Sequence, residues 1–279
     1  MKCRLYDAHN HLQDERLGPH RAGILRTCDA AGIAKMVVNG SCETDWPEVL
    51  ALSRGCPQII PSFGYHPWYV KERTESWKET LIHHLDSAPS GIGEIGLDRW
   101  IKDHDFADQI DVFVWQLRLA AERNLPASIH CLQAWGKLFE ILRAEPRPAC
   151  GFLLHSFGGP AEMVTPLAKL GAYFSFPGYF MHERKQRQRD AFQLVPPDRL
   201  LIETDAPDQL LPECRIRLPL LDANSGQPIN HPANLGAVYR FVAEMKNEPL
   251  DKLTRRVEEN FLRLFGKVCS PLPDSRKLV

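Results

Sequence analysis

Residues 5–12 read LYDAHNHL, and the fold turns on how that stretch ends. The apolar pair Leu5 and Tyr6 gives way to Asp7, then to His9 and His11. An open, doubly wound sheet that binds a nucleotide carries a Gly-rich loop directly after its first strand. Here the first strand closes on two histidines instead. Ionisable side chains at the ends of strands are where a closed (β/α)8 barrel builds its active site. The stretch therefore predicts a barrel, with the open sheet as the alternative.

The rest of the chain has the alternation a barrel requires. Short β-rich runs occur at 3–8 (CRLYDA), 35–40 (KMVVNG), 59–64 (IIPSFG), 91–96 (GIGEIG), 126–130 (PASIH), 151–155 (GFLLH), 172–176 (AYFSF) and 200–204 (LLIET). Segments of helical spacing separate them. In QIDVFVWQLRLAAERN (109–124), Val112, Trp115, Leu119 and Ala120 fall on one face, and Asn124 with Pro126 beyond it marks the stop. Strand and helix alternate without a linker or a break in composition, as parallel strands with helical crossovers do. We read one α/β domain, a (β/α)8 TIM barrel over residues 1–269, with 270–279 as a flexible tail. The long irregular stretch at 206–234, rich in Pro, Asp and Asn, reads as a functional loop, because loops of that length inside a compact domain usually are.

Bulk properties narrow the class. A net charge of -1 gives no overall pull towards a polyanion, so any nucleic-acid contact has to come from a local patch. The 8 cysteines are scattered with no CxxC pair, which suits reduced thiols in the cytoplasm better than a disulfide framework. No signal-type stretch opens the sequence and no apolar run nears the ~20 residues that span a bilayer. A cytoplasmic enzyme with no membrane attachment is expected; protein partners leave no trace.

In an extended chain, residues i and i+2 share a face, so His9 and His11 can aim two imidazoles at one point. Taken alone, that pair also fits two surface or cap histidines. Other strand ends repeat the pattern: Glu94 in GEIGLD, His130 in SIHC, His155 in LLHSF and Asp205 in LLIETDAP. Each has a bland reading as a buried histidine bonded to a carbonyl or an acid capping a helix. For five of eight strands to end this way independently is improbable. Four imidazoles and two carboxylates exceed what one tetrahedral ion takes and suit two ions sharing a carboxylate.

The ordered set of HxH, GYHPW (64–68), GEIGLD, the two later strand-end histidines and LLIETDAP resembles the TatD-type metal-dependent deoxyribonucleases, barrel members of the wider amidohydrolase group. The likeness runs from residue 7 to about residue 265. It implies that His9, His11 and Asp205 hold one divalent ion, that His130 and His155 hold a second, and that Glu94 bridges them. Zinc, manganese and magnesium are all open. Asp205 becomes the candidate proton acceptor for an attacking water, with Glu94 as its catalytic companion. His66 resembles a substrate-contacting position, and Asp98 and Glu203 are candidates to orient imidazoles from behind. For His66 a turn histidine fixed by Pro67, and for the two acids a salt bridge or cap, are the alternatives.

DNA is the expected substrate. Two features could contact it: the basic run HERKQRQRD (182–190), whose Arg184, Lys185, Arg187 and Arg189 spread around a helix as on a solvated surface, and the loop aromatics Trp68, Trp100, Trp135, Tyr179 and Phe180, which can stack on unpaired bases. The chain departs from the family pattern at Leu132, where relatives commonly carry arginine, and at His231, where they carry an acid. Arg99, Arg215 or Arg217 are the residues that could compensate. Hydrolysis of other esters or amides on the same site, such as deacylation of misattached D-amino acids from tRNA, is a second reading. A non-catalytic metal-binding component of a complex is a third.

Overall fold

The computed structural model describes residues 4–102 and 105–269; the tail expected at 270–279 lies outside the described residues. Among these, eight strands pair side by side in chain order, all parallel. They are β1 (Leu5–Asn10), β2 (Ile33–Asn39), β3 (Ile59–Phe63) and β4 (Gly91–Asp98), followed by β5 (Ala127–Leu132), β6 (Phe152–Leu154), β7 (Ala172–Phe176) and β8 (Leu200–Ile202). The last strand returns to the first. Asp205 N donates to His9 O at 3.0 Å and His11 N donates to Ala206 O at 2.8 Å. Buried Asp7 reinforces the closure by accepting from Thr204 N at 2.9 Å and Thr204 Oγ1 at 2.6 Å. The sheet is thus a barrel, as the alternation predicts.

Helices α1 (Arg21–Ala31), α2 (Trp46–Gly55), α3 (Trp77–Ser87), α4 (Phe106–Arg123), α5 (Trp135–Ala144), α6 (Val164–Lys169) and α7 (Gln186–Gln193) each cross over to the next strand. Two more, α8 (Leu235–Met245) and α9 (Leu250–Phe265), follow β8. The sequence places α4 well. Asp105 caps its start by accepting from Ala107 N and Asp108 N, and Asn124 ends it in the left-handed region at φ 48°. Val112, Leu119 and Ala120 are buried as the spacing predicts, while Trp115 is half-buried against Trp77. The basic run at 182–190 differs from expectation. It begins as a short 3-10 turn at Glu183–Lys185, and regular helix starts only at Gln186.

Strand ends also differ by a residue or two. β1, β4 and β5 run further than their apolar composition suggests, to Asn10, Asp98 and Leu132. In β4 the reason is Gly96, at φ 151°, where an added Cβ would lie 2.0 Å from His130 O. Only glycine lets β4 pass that close to β5, and the close pass brings Glu94 and Asp98 to the same end of the barrel as His130. The loop at 206–234 folds back on that end through a two-stranded hairpin, Leu220–Leu221 with Pro228–Ile229. Asn230 Nδ2 ties it to Thr204 O at 2.9 Å.

His231 sits at the end of this loop and caps the turn before α8, its Nδ1 accepting from Ala233 N at 3.0 Å. Burial, aided by the nearby His20, lowers its pKa below the ordinary histidine value, which suits a nitrogen that must keep its lone pair. The unfolded chain then binds a proton more readily than the folded one, so stability is lost as pH falls through the ordinary histidine range. We expect His231→Asn, which retains a capping acceptor, to flatten this acid limb, and His231→Ala to cost about 1 kcal/mol at neutral pH. Urea melts between pH 5 and 8 read both.

Candidate metal centre

Glu94 is at the centre of the site, 2% exposed. One carboxylate oxygen faces His9 Nε2 at 3.3 Å and His11 Nε2 at 3.2 Å. The other faces His155 Nε2 at 2.7 Å, His130 Nδ1 at 3.0 Å and His66 Nε2 at 3.4 Å. Asp205 Oδ1 lies 3.6 Å from Nε2 of both His9 and His11. Asp205 is a non-glycine residue at φ 52°, a backbone state that aspartate tolerates better than most and that is found at functional sites. The structure therefore brings together all six residues in the proposed ligand set, from strand ends as far apart in sequence as β1 and β8.

The outer hydrogen bonds decide which nitrogen of each ring offers a lone pair. His11 Nδ1 lies 2.9 Å from Asn39 O, an acceptor, so in the neutral ring Nδ1 carries the hydrogen and Nε2 is left open for a cation. His130 is turned the other way: Nε2 donates to Asp98 Oδ2 at 3.0 Å and Nδ1 faces the cluster. His66 is opposite to both. Its Nδ1 accepts from Trp68 N at 3.2 Å, so a neutral His66 carries hydrogen on Nε2 and presents a donor to the site. Purely by distance His66 groups with Glu94 and His130, but a ring whose lone pair is already used is a poor metal ligand and a good partner for an oxygen.

Electrostatics agree. Burial alone would raise the Glu94 carboxyl, but the surrounding His155, His66, His9 and His11 hold it well below the usual carboxylate range. Burial, with His155 beside it, pushes His9 well below an ordinary histidine, and burial brings His66 down to about 4. Against burial, Glu94 and Asp205 raise His11 to about 10, and Glu94 with Asp205 raises His155 to about 9. The donor set thus draws positive charge to the positions around Glu94. His9 Nε2 and His11 Nε2 are 3.2 Å apart, a separation that suits a shared cation. These residues fit divalent metal.

Two acids stand behind the cluster. Asp98 is buried and, against the upward push of burial, His130 and Trp68 hold it at about 2. Glu203 accepts from Ser156 N at 2.8 Å, from Ser156 Oγ at 2.6 Å and from Ser175 Oγ. Its Oε1 is 3.9 Å from His155 Nδ1, too long for a hydrogen bond. Burial raises Glu203 to about 8 and raises Asp205 also. Asp98 therefore contacts its imidazole directly and Glu203 does not. We expect Asp98→Ala to weaken metal binding about 10- to 100-fold, as loss of a ligand-orienting carboxylate does; competition against a chromophoric chelator measures it.

Asn39, which fixes His11, and Thr204, which Asp7 holds, have no signal in the sequence that marks them. Of the arginines that could compensate for Leu132, Arg215 is engaged elsewhere, with Glu244 at 3.6 Å. Arg217 is exposed, its backbone N–H bonded to Asn234. Arg99 is adjacent: its N–H donates to Leu132 O at 3.0 Å and its guanidinium lies 4.4 Å from the Phe106 ring centre.

Fold and site together define a metal-dependent hydrolase on a parallel barrel. The family profile described as TatD related DNase matches residues 6–266, and the chain belongs to that family. It is 28% identical to the uncharacterized metal-dependent hydrolase YjjV of Escherichia coli (strain K12), with 95% of this chain and 99% of the relative covered. It is 29% identical to the 3'-5' ssDNA/RNA exonuclease TatD of Escherichia fergusonii, with 94% and 99% covered. The crystal structure of the E. coli YjjV protein matches with a TM-score of 0.85 at 28% identity, covering 95% of this chain and 99% of that one.

Proposed function

We propose that this chain hydrolyses phosphodiester bonds in single-stranded DNA with two divalent ions, zinc, manganese or magnesium. The observation that carries the reading is Glu94, whose two oxygens face two separate imidazole sets. His9 and His11 with Asp205 would hold one ion, His130 and His155 the other, and Glu94 both. Bound there, the ions would draw charge from the phosphoryl oxygens and acidify a water. Asp205, 3.6 Å from Nε2 of both His9 and His11, would be the proton acceptor for the attacking water. His66, kept neutral by burial and carrying its hydrogen on Nε2, donates to a substrate oxygen beside Glu94. Asn39 and Asp98 hold His11 and His130 in the tautomers this requires.

The relatives named as ssDNA/RNA exonucleases support the choice of substrate. The cysteines among the described residues are all free thiols, which supports a cytoplasmic location; no helix among those residues is long and apolar enough to cross a membrane. The test is a 5′-labelled single strand incubated with and without added metal. Metal-dependent shortening that weakens as salt rises supports the reading, because backbone contacts are salt-sensitive. Inertness on DNA together with hydrolysis of a carboxylic ester or amide overturns it.

A further inference from the structure

The large apolar side chains left exposed among the described residues include two tryptophans, Trp68 at 49% and Trp100 at 66%. Both belong to segments that follow strands at the same end of the barrel as Glu94, and both are tied to Asp98. Trp68 Nε1 donates to Asp98 Oδ2 at 2.7 Å, which fixes the indole. Trp100 N donates to Asp98 Oδ1 at 2.6 Å and Ile101 N at 3.3 Å, which fixes the turn that carries the second indole. The same carboxylate meets His130 Nε2 at 3.0 Å. One buried side chain therefore holds a ring of the metal centre, one exposed indole directly and the backbone turn that carries the other.

We propose that Trp68 and Trp100 form a stacking platform for an unpaired nucleobase beside the metal centre. Exposed indole is an unfavourable surface unless something covers it, and a flat π-face is what a base covers irrespective of its identity. Trp68 stands edge-on to His66, with ring centres 5.0 Å apart, and to His130 at 6.4 Å. A base resting on it lies next to the ring that faces Glu94. Arg99, exposed and directly between Asp98 and Trp100 in the chain, supplies positive charge for the adjoining phosphate. A base inside a duplex is already stacked and paired, so the platform selects single strands.

The other loop aromatics do not compete for this role. Trp135 packs edge-on against Phe157 at 4.7 Å, and Phe180 is buried beside Phe176 and Phe192. Lys185 and Arg184 lie over the ring of Tyr179, at 4.4 and 5.3 Å.

The identity of the ligand rests on the phosphodiesterase reading above, so the test measures binding apart from turnover. A labelled single strand with phosphorothioate links, which resists hydrolysis, is titrated against the metal-loaded full chain by anisotropy. The same strand with its bases removed is titrated alongside. Trp100→Ala should weaken binding of the base-bearing strand about 10- to 100-fold and of the abasic strand far less, and Trp100→Phe should restore most of the loss. Equal affinity of the wild type for both strands, or equal losses on both in Trp100→Ala, overturns the platform. Discrimination between the strands without any DNA hydrolysis keeps the platform and removes the phosphodiesterase reading. Hydrolysis without discrimination does the reverse.

Discussion

Glu94→Ala should abolish DNA cleavage, with a loss larger than the about 10^2- to 10^3-fold that follows removal of a single electrostatic donor from an active site. The expectation is severe because Glu94 faces five imidazoles through two oxygens. Without it the like-charged contents of the site lose the anion between them, and the cost of placing two cations close together rises. Steady-state cleavage of a labelled single strand at saturating metal measures the loss. Retention of more than a tenth of wild-type kcat/KM would place the essential carboxylate elsewhere. Glu94→Gln keeps the shape but not the charge, so it should be nearly as damaging, which separates charge from packing.

The second large effect is on stability. Asp7→Ala should destabilise the fold by about 3 kcal/mol or more, because each buried donor left without its acceptor costs about 1–3 kcal/mol. Asp7 is completely buried and accepts from Thr204 N, Thr204 Oγ1 and Asn10 Nδ2, the last at 3.0 Å. Its removal leaves these donors, and His9 N at 3.4 Å, without that acceptor at the seam where β8 rejoins β1. The barrel cannot readily relax there, because Tyr239 pins the same strand by accepting from Tyr6 N at 3.0 Å and donating to Tyr6 O at 2.9 Å. Urea unfolding of the variant gives the midpoint shift. A loss under about 1 kcal/mol, the level of an ordinary surface change, would show that the seam is held by its backbone bonds alone.

Much of the architecture is legible in the residues, and the reason is periodicity. Strand and helix alternate with the spacing of parallel crossovers, and every ionisable strand end singled out from the sequence lies at one end of the barrel. What stays hidden is orientation. Nothing in SIHC and LLHSF distinguishes His130 from His155, yet one turns Nδ1 and the other Nε2 towards Glu94. That difference is set by Asp98, thirty-two positions away in the chain. His66 looks like a further strand-end imidazole until its bond from Trp68 N is known, and that bond makes it a donor. Asp7 falls inside the first strand with nothing local to mark it, whereas its carboxylate bonds β1 to Thr204 just past β8. Each of these depends on contacts between strands distant in sequence, which local pattern does not encode.

The departures at Leu132 and His231 also resolve in physical terms. His231 is a helix-capping residue in a folded-back loop, so its difference from an acid bears on stability. Leu132 is paired with Asp98 across β4 and β5 and is followed by the bond to Arg99. In the stacking arrangement proposed above, the Arg99 and tryptophan segment beside Leu132 would take over the phosphate contact that an arginine at that position would make.

The count of divalent ions bound per chain tests the central claim most directly. Equilibrium dialysis of chelator-stripped protein against manganese or zinc, at free metal well above the dissociation constants, should give two ions in the wild type and at most one in Glu94→Ala. A single ion in the wild type, or two in the variant with undiminished affinity, would contradict a centre bridged by Glu94.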